Sequence, residues 1–470
     1  MIQQKLNATL TGIQWVVNGY MLMLCALILI SGALGDRFGR KKVFSYGILL
    51  FITASFLCSI AQNINELAVF RMIQGIGGAL MVPGSLSIIN IAFEESVRGR
   101  AIGLWSGFAG GVAALGPLIG GILVQYLGWQ SIFYINIPLG ILAFYLTIRY
   151  VPETRNHEST KIDIVGSFFI FVSLLGISYS LISAPDVGWN NPLIITSLFV
   201  GIFSAILFIV VEKRTKEPLV PFKIFQSLLV TGSNLATFFL YFSLSGALFF
   251  LGLDLQQIQH YSPIYAGFAM LPTVLLITFL SGNGGTIADK IGPRIPMILG
   301  PFIVSVGMAY LIFSGRNANY FINFLPSLIF IGLGMAIVIA PLTKSALAVE
   351  SKYSGAASGV NNAVARIAGL LAVALVGAIV LALFKTQLTN SIHASELTRV
   401  EKQQIMTQQN KLGGITMPAT FTSDAKEQAQ NIVESSFIGG FRWAIGINAA
   451  FAFISALIAF FTIQYKKEKK

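Results

Sequence analysis

The chain has 470 residues, of which 55% are hydrophobic and only 11% are charged, and its mean hydropathy is +0.76. Soluble domains carry roughly 25% charged residues, so this composition excludes a soluble protein. The formal net charge of +12 argues for contact with anionic membrane lipid and against a nucleic-acid partner, because Lys and Arg gather in short segments between apolar runs.

Thirteen apolar runs are long enough to cross a membrane as helices. They cover residues 13–32, 43–62, 67–92, 99–126, 131–150, 163–184, 193–211, 229–253, 263–287, 294–314, 321–343, 354–384 and 437–464. The chain is therefore predicted to be an all-α polytopic protein of the cytoplasmic membrane. Lys and Arg concentrate in the segments after the odd-numbered runs, which predicts a cytoplasmic C-terminus and an external N-terminus.

One short loop occurs twice. Residues 32–40 read G-A-L-G-D-R-F-G-R, and residues 285–294 read G-T-I-A-D-K-I-G-P-R. Gly, Asp, Gly and Arg keep their order in both copies. The shared positions are Gly32, Asp36, Gly39 and Arg40 in the first copy and Gly285, Asp289, Gly292 and Arg294 in the second. A repeat about half a chain apart is typical of transporters built from two similar halves.

We interpret the two loops as a latch that holds one of two transporter states on the cytoplasmic face. Their glycines allow tight packing and positive φ angles in the turn. Their Asp side chains can accept hydrogen bonds from a helix N-terminus or pair with Arg. The alternative is a simple turn that sets the topology of the flanking spans.

The span 67–92 contains a charged residue, Arg71, and Gln74 follows it three residues later. That spacing puts both side chains on one face of a helix. A charge costs roughly 2.5–3.5 kcal/mol near the membrane centre and less near an end. We predict that Arg71 and Gln74 line a polar cavity or proton path; the alternative is that Arg71 snorkels to the outer interface.

The next span, 99–126, contains G-G-V-A-A-L-G-P-L-I-G-G. Pro117 removes a backbone donor and kinks a helix, and glycines open a smooth face for close helix crossing. A bend between the two halves would suit alternating access, whereas the alternative is a purely structural kink. The residues predicted to form this bend are Gly111, Gly116, Pro117, Gly120 and Gly121.

Proton-coupled transport needs a titratable group within the membrane, yet no carboxylate falls at mid-depth; Asp254 lies near an outer span end. Arg366 lies roughly twelve residues into the span 354–384, near mid-depth at about 1.5 Å per residue. Asn361 and Asn362 lie one turn earlier. We predict that Asp254 and Arg366 belong to the polar path and that the two Asn residues line a polar cavity. The alternative for the Arg366 region is an interhelical hydrogen-bond clamp.

The longest loop, 385–436, is rich in Gln, Ser, Thr and Asn, and is predicted to be a helical or disordered external excursion. It is either a solvated loop or a lid or partner site. Neither a cofactor nor a metal is predicted, because Cys25 and Cys58 lie inside spans and no metal-ligand spacing occurs. No nucleophile–base pair or nucleotide loop indicates an enzyme.

These residues together resemble the major facilitator superfamily, specifically its 14-span drug:proton antiporters, over nearly the whole chain. The Asp36 and Asp289 loops look like the family's motif A. Arg71 with Gln74 looks like motif B, and the Gly-Pro segment around Pro117 looks like motif C, which marks antiporters. Further matches in the same order are V-P-E-T-R at 151–155, K-I-D-I-V-G at 161–166, E-P-L-V-P-F at 217–222 and G-A-A-S-G-V-N-N at 355–362.

The resemblance implies two pseudo-symmetric helix bundles, a central helix pair, and exchange of a drug for protons by alternating access. It also implies conformational control by Asp36, proton transfer by Arg71, and an antiporter bend at Gly116 and Pro117. The family's first span, which carries an Asp-containing signature, is absent from the sequence. Asp254 stands where the family tends to have Tyr, and it can serve as a substitute acid or a cation-binding group.

The expected domains are an N-terminal bundle of five spans (1–150), a two-span central insert with cytoplasmic linkers (151–228), and a C-terminal bundle that carries the external loop (229–470). The predicted function is secondary active export of drugs or toxic lipophilic compounds by proton antiport. The expected partners are a lipophilic or cationic small molecule, protons and membrane lipid. Two alternatives are an exporter of an endogenous metabolite or siderophore, and a truncated membrane protein that does not transport.

Overall fold

The structure, a computed structural model, describes residues 2–94, 97, 104, 112, 115–155, 163–215, 218–350 and 353–463. Within these residues the regular secondary structure is helical, without a β-strand. An apolar segment in a membrane must satisfy its own backbone N–H and C=O groups, which a helix does. The predicted all-α class is confirmed.

The helices follow one another with short connections. They are α1 (Ile2–Lys5), α2 (Leu10–Phe38), α3 (Arg40–Ser59), α4 (Ile64–Ala92), α5 (Leu115–Leu127), α6 (Ser131–Tyr134), α7 (Asn136–Tyr150), α8 (Ile164–Val187), α9 (Pro192–Arg214), α10 (Leu228–Gln257), α11 (Pro263–Ile291), α12 (Arg294–Leu311), α13 (Leu325–Ala346), α14 (Ser354–Ala394), α15 (Arg399–Met406) and α16 (Ser423–Thr462). Short 3₁₀-helices cover Phe222–Gln226 and Gln409–Gly414, and a short π-helix covers Tyr320–Phe324.

Within the described residues, 12 helical stretches are long and apolar enough to cross a membrane. They coincide with twelve of the thirteen predicted spans. The other predicted span, 99–126, falls mostly outside the described residues, including Gly111 of the predicted bend. Its described end belongs to α5, a shorter apolar helix.

Two helices extend beyond the apolar runs that predict them. α14 has 41 residues, and at 1.5 Å per residue it is about 60 Å long, roughly twice the thickness of the hydrocarbon core. α16 begins at Ser423 because Thr422 accepts the N–H of Ala425 as an N-cap. Thr398 and Glu401 form a reciprocal capping box at the start of α15. The predicted excursion is therefore largely helical.

The helices pack as two groups and one pair. In the first group, α4 packs on α2 and α3, and α7 packs on α3. In the second group, α13 packs on α11 and α12, while α16 packs on α10, α12 and α14. α8 and α9 pack on each other, and α8 also contacts α2 and α14. A buried cluster of Leu22, Cys25, Leu174 and Leu370 joins α2, α8 and α14, so the pair sits against the junction of the two groups.

The helix ends define two faces. The repeat face carries Gly39, Gly292 and residues 151–155 and 218–227. The long-loop face carries residues 2–9, 258–262, 312–319 and 395–422.

The N-terminal segment is bound on the long-loop face. There Lys411 Nζ donates to Asn7 Oδ1 at 2.7 Å, and Gln257 Nε2 donates to Gln3 Oε1 at 2.7 Å. Gln3 Nε2 in turn donates to the carbonyl of Lys411 at 3.0 Å. These bonds tie the start of the chain to the second group and to the excursion.

Candidate functional site

Arg71 lies inside the first helix group and points from α4 toward α2. Its Nε donates to the backbone carbonyl of Val16 at 3.1 Å. Its guanidinium carbon lies 4.3 Å from the centroid of the Tyr20 ring, a cation–π contact. Its Nη1 donates to Gln74 Oε1, as the three-residue spacing predicts.

Gln74 extends the Arg71 contacts to two further helices. Its side chain is 1% exposed, and its Nε2 donates to Ser55 Oγ of α3 at 2.6 Å. Asn136 of α7 donates to the same hydroxyl at 3.4 Å. We call Arg71, Gln74, Ser55 and Asn136 the Arg71 network; its members lie on three helices, and the contacts of Arg71 with Val16 and Tyr20 add α2 as a fourth.

The Arg71 charge is balanced by neutral groups alone among the described residues. A carbonyl, an amide and an aromatic face contact it, and no carboxylate of the described chain forms an ion pair with it. A partly buried charge of this kind retains an attraction for a counter-charge. The network can therefore hold an anionic group or stabilise a neighbouring acid in its ionised form.

The first copy of the repeated loop is held by a carboxylate from another segment. Arg40 pairs with Asp36 at 2.6 Å across Gly39, whose φ of 110° a side chain would rarely adopt. The backbone N–H groups of Lys41 and Lys42 donate to the two oxygens of Glu153 at 3.2 and 3.3 Å. Glu153 thus occupies the N-terminus of α3, where a negative charge is favourable.

The second copy has different partners. Asp289 pairs with Lys344 of α13 at 2.6 Å, and both side chains are more than half exposed. Arg294 turns to α16, donating to the carbonyl of Phe460 at 3.4 Å. Gly292 has a φ of 84°, so the positive φ predicted for both turn glycines is confirmed. The first glycines of the two loop copies differ in their surroundings. A Cβ on Gly32 would meet open space, whereas one on Gly285 would lie 3.4 Å from the Ala340 side chain.

The described part of the predicted bend packs against α11. A Cβ on Gly121 would lie 2.5 Å from the carbonyl oxygen of Pro263, and one on Gly267 would lie 2.5 Å from that of Pro117. The absence of side chains at both glycines therefore lets the two backbones touch. Gly116 and Gly120, by contrast, would place a Cβ in open space.

The two helix groups thus meet through α5 with α11 and through α2 with α14. At the second contact, Gln14 Nε2 donates to the carbonyl of Val373. Both contacts lie toward the long-loop face. On the repeat face, the described bonds of each loop copy stay within its own helix group.

Asp254 is buried at the end of α10 near the long-loop face. Its Oδ2 accepts from Gln259 Nε2 at 3.3 Å, and Gln259 also bonds the carbonyl of Gly315 and the N–H of Ala318. Burial and the nearby Asp254 charge raise the pKa of the Tyr261 hydroxyl in the adjoining loop. Asp254 therefore helps to anchor two loops of this face.

A neighbouring ionic cluster on the long-loop face was not predicted. Glu434 of α16 is 5% exposed and accepts from Arg316 Nε at 2.7 Å. His260 Nε2 lies 3.2 Å from its other oxygen, and Gln430 donates to that oxygen at 2.8 Å. No sequence signal could have found this cluster, because its members lie in three segments far apart in the chain.

The polar residues of α14 point in different directions. Asn361 donates to Asn234 Oδ1 at 3.2 Å and to Thr237 Oγ1 at 3.1 Å, both on α10, which is the clamp geometry. Asn362 is exposed and donates to the carbonyl of Ser358 in its own helix. Arg366 is half-buried and lies close enough to Cys25 of α2 to act on it electrostatically.

Known proteins resemble most or all of the chain in sequence. A profile described as Major Facilitator Superfamily matches residues 1–373. The chain is 28% identical over 473 residues to the tetracenomycin C resistance and export protein of Streptomyces glaucescens, covering 100% of this chain and 88% of that protein. It is 34% identical over 387 residues to the puromycin resistance protein pur8 of Streptomyces alboniger, covering 80% and 76%. The methylenomycin A resistance protein of Bacillus subtilis (strain 168) is 37% identical over 283 residues, 60% of each chain.

Solved structures share the fold. An auto-inhibited POT family peptide transporter matches with a TM-score of 0.64 at 13% identity, covering 100% of this chain and 94% of that one. A bacterial homologue of the human lysosomal transporter Spinster, inward-facing and unoccupied, matches with a TM-score of 0.56 at 16% identity, covering 97% and 98%. The predicted resemblance is confirmed: this multi-pass membrane protein belongs to the Major Facilitator Superfamily.

Proposed function

We propose that this protein exports drugs or other toxic lipophilic compounds across the cytoplasmic membrane while protons move the opposite way. The names of the relatives support the cargo, because each is a resistance or export protein. The observation that carries the mechanism is the Arg71 network, a positive charge held inside membrane helices by neutral partners. A charge at such a position marks an ion or substrate path by default.

Arg71 acts electrostatically in this proposal. A guanidinium keeps its proton in proteins, so it cannot itself carry a transported proton. Its charge favours the ionised form of an acid or anionic group that approaches it, and its remaining N–H groups can hold water or substrate. Gln74 and Ser55 hold the guanidinium in place through their chain of hydrogen bonds.

Alternating access uses the two contacts between the helix groups. In the state seen here, α2 with α14 and α5 with α11 join the groups toward the long-loop face. In the opposite state these contacts separate, and the bend around Pro117 absorbs the movement. The two loop copies, now bonded within their own groups, would then latch the repeat face.

The remaining predicted residues have supporting roles in this proposal. Asp254 is a candidate acid near the long-loop face, and Arg366 a second fixed charge where α14 meets α2. We keep the division into 1–150, 151–228 and 229–470, with the repeat face and the C-terminus in the cytoplasm. The excess of Lys and Arg beside the repeat face supports this orientation.

The function is tested by accumulation of a lipophilic cation dye in an efflux-deficient bacterial host. Cells that express the protein are expected to hold less dye than cells with an empty vector. Arg71→Ala is expected to raise dye to the vector level at an equal amount of protein in the membrane. Arg399→Ala is the matched control, because Arg399 is exposed on α15. Export by Arg71→Ala at the rate of the unaltered protein would refute the role of the network.

A further inference from the structure

Two buried carboxyl groups meet at the repeat-face end of the α8–α9 pair. Asp163 caps α8 and is 8% exposed; Glu212 lies near the end of α9 and is 2% exposed. Each has one oxygen bonded to a backbone N–H. Gly166 N–H donates to Asp163 Oδ1 at 2.8 Å, and Val220 N–H donates to Glu212 Oε2 at 3.0 Å.

The other oxygen of each group is buried and has no partner among the described residues. Both free oxygens face the same point. A Cβ built on Gly166 would lie 2.7 Å from Asp163 Oδ2 and 2.6 Å from Glu212 Oε1. The two carboxyl groups are therefore direct neighbours. Two ionised carboxylates cannot satisfy each other there, because both only accept hydrogen bonds.

We propose that Asp163 and Glu212 form a proton-binding site in which one proton is shared between Asp163 Oδ2 and Glu212 Oε1. The proton converts one acceptor into a donor, satisfies both free oxygens and removes the repulsion between two like charges. This site is separate from the Arg71 network, which lies in the first helix group. The α8–α9 pair therefore binds a proton at a site of its own.

The surrounding charges favour a proton over a metal ion. Asp163 is the charged side chain found beside Glu212 in the described part of the chain. Among the described residues, neither α2 nor α14, which pack on α8, contributes an ion pair to Glu212, and Lys213 Nζ on α9 instead lies 5.9 Å from the Phe222 ring centroid. Calcium and magnesium require six or more oxygen ligands, and no described group of three potential metal ligands exists.

The bound proton joins three segments. Asp163 starts α8, Glu212 ends α9, and Val220 begins the segment that leads through Phe222–Gln226 into α10 of the second helix group. Loss of the proton would set two carboxylates against each other at this junction. The site would therefore make the attachment of the central pair to the second group dependent on proton binding.

Infrared spectroscopy of the purified full chain tests the site without a transport assay. Near pH 7, the unaltered protein is expected to show the carbonyl band of an un-ionised carboxylic acid, shifted in heavy water. Asp163→Asn and Glu212→Gln should each remove that band, because the amide donates to the remaining carboxylate and keeps it ionised. Asp186→Asn, at the other end of α8 and near Lys385, should leave it unchanged. If neither site variant loses the band, so that the spectrum of the unaltered protein minus that of each variant shows no carbonyl band, the proposal is overturned.

Thermal unfolding is a second test, and it needs only the unaltered protein and one folded site variant. The midpoint of the unaltered protein should fall as pH rises from about 4, the usual pKa of a carboxyl group in an unfolded chain, to the pH at which the carbonyl band disappears, and this fall should shrink in whichever site variant is folded. Magnesium or calcium chloride should not raise the midpoint. Stabilisation by either cation that disappears in the site variants would replace the proton with a metal ion and overturn the proposal.

Discussion

The two copies of the repeated loop share a spacing and a backbone shape but differ in what holds them. Gly39 and Gly292 both have positive φ angles. Around the first copy, Asp36 pairs with Arg40 and the loop is closed by Glu153. Around the second, Asp289 pairs with the exposed Lys344, and Arg294 contacts α16. The repeat therefore specifies a turn, whereas the neighbouring helices decide its partners.

The largest losses of stability in the two copies are expected from alanine at the turn glycines. Both substitutions force a side chain into a glycine-only region, at a cost of about 1–3 kcal/mol. Gly39→Ala should cost about 1 kcal/mol more than Gly292→Ala, because its Cβ would lie 2.6 Å from Glu153 Oε1 whereas a Cβ on Gly292 meets open space. Thermal unfolding of the purified variants in detergent measures this. Equal losses of stability for Gly39→Ala and Gly292→Ala would show that Glu153 does not hold the first loop. In a Glu153→Ala background, the extra loss for Gly39→Ala should vanish.

Smaller losses of stability are expected from removing the partner of each loop. Glu153→Ala leaves the first N–H groups of α3 without their carboxylate, and should destabilise by about 1 kcal/mol. Lys344→Ala breaks an exposed ion pair, and should cost close to nothing. The same unfolding measurement applies. A loss for Lys344→Ala as large as that for Glu153→Ala would contradict the comparison.

The smallest effect on stability is expected from neutralising the two aspartates. Asp36→Asn and Asp289→Asn should each cost less than about 1 kcal/mol, because both ion pairs are accessible to water. If the loops latch the opposite state, dye export should nevertheless fall several-fold in both variants. Normal export by both at a normal amount of protein in the membrane would favour the alternative of a simple topological turn.

Features set by local sequence could be predicted well. The apolar runs predicted the membrane helices, because backbone bonding in lipid leaves a helix as the solution. The positive φ angles of Gly39 and Gly292 and the contact of Arg71 with Gln74 also follow from short spacings. The start of α16 was missed because polar helix outside the membrane has no apolar signal, and the cap at Thr422 was not recognised.

Features that join distant segments could not be predicted from one sequence. Glu153 contacts a loop more than a hundred residues away, and Arg316 and Glu434 are similarly separated. Glu212 lies beside Lys213 and Arg214 in sequence, which suggests an exposed helix end, yet it is buried against Asp163. Asn361 was predicted to line a cavity or to clamp helices, and only the packing of α14 on α10 shows its partners.

Transport by the purified protein in liposomes tests the central claim most directly. A proton gradient is imposed, a lipophilic cation is added, and the cation and the internal pH are followed together. The account predicts that cation movement in one direction is accompanied by proton movement in the other, that Arg71→Ala abolishes both, and that Arg399→Ala changes neither. Cation movement that ignores the gradient, or that persists in Arg71→Ala, would contradict it.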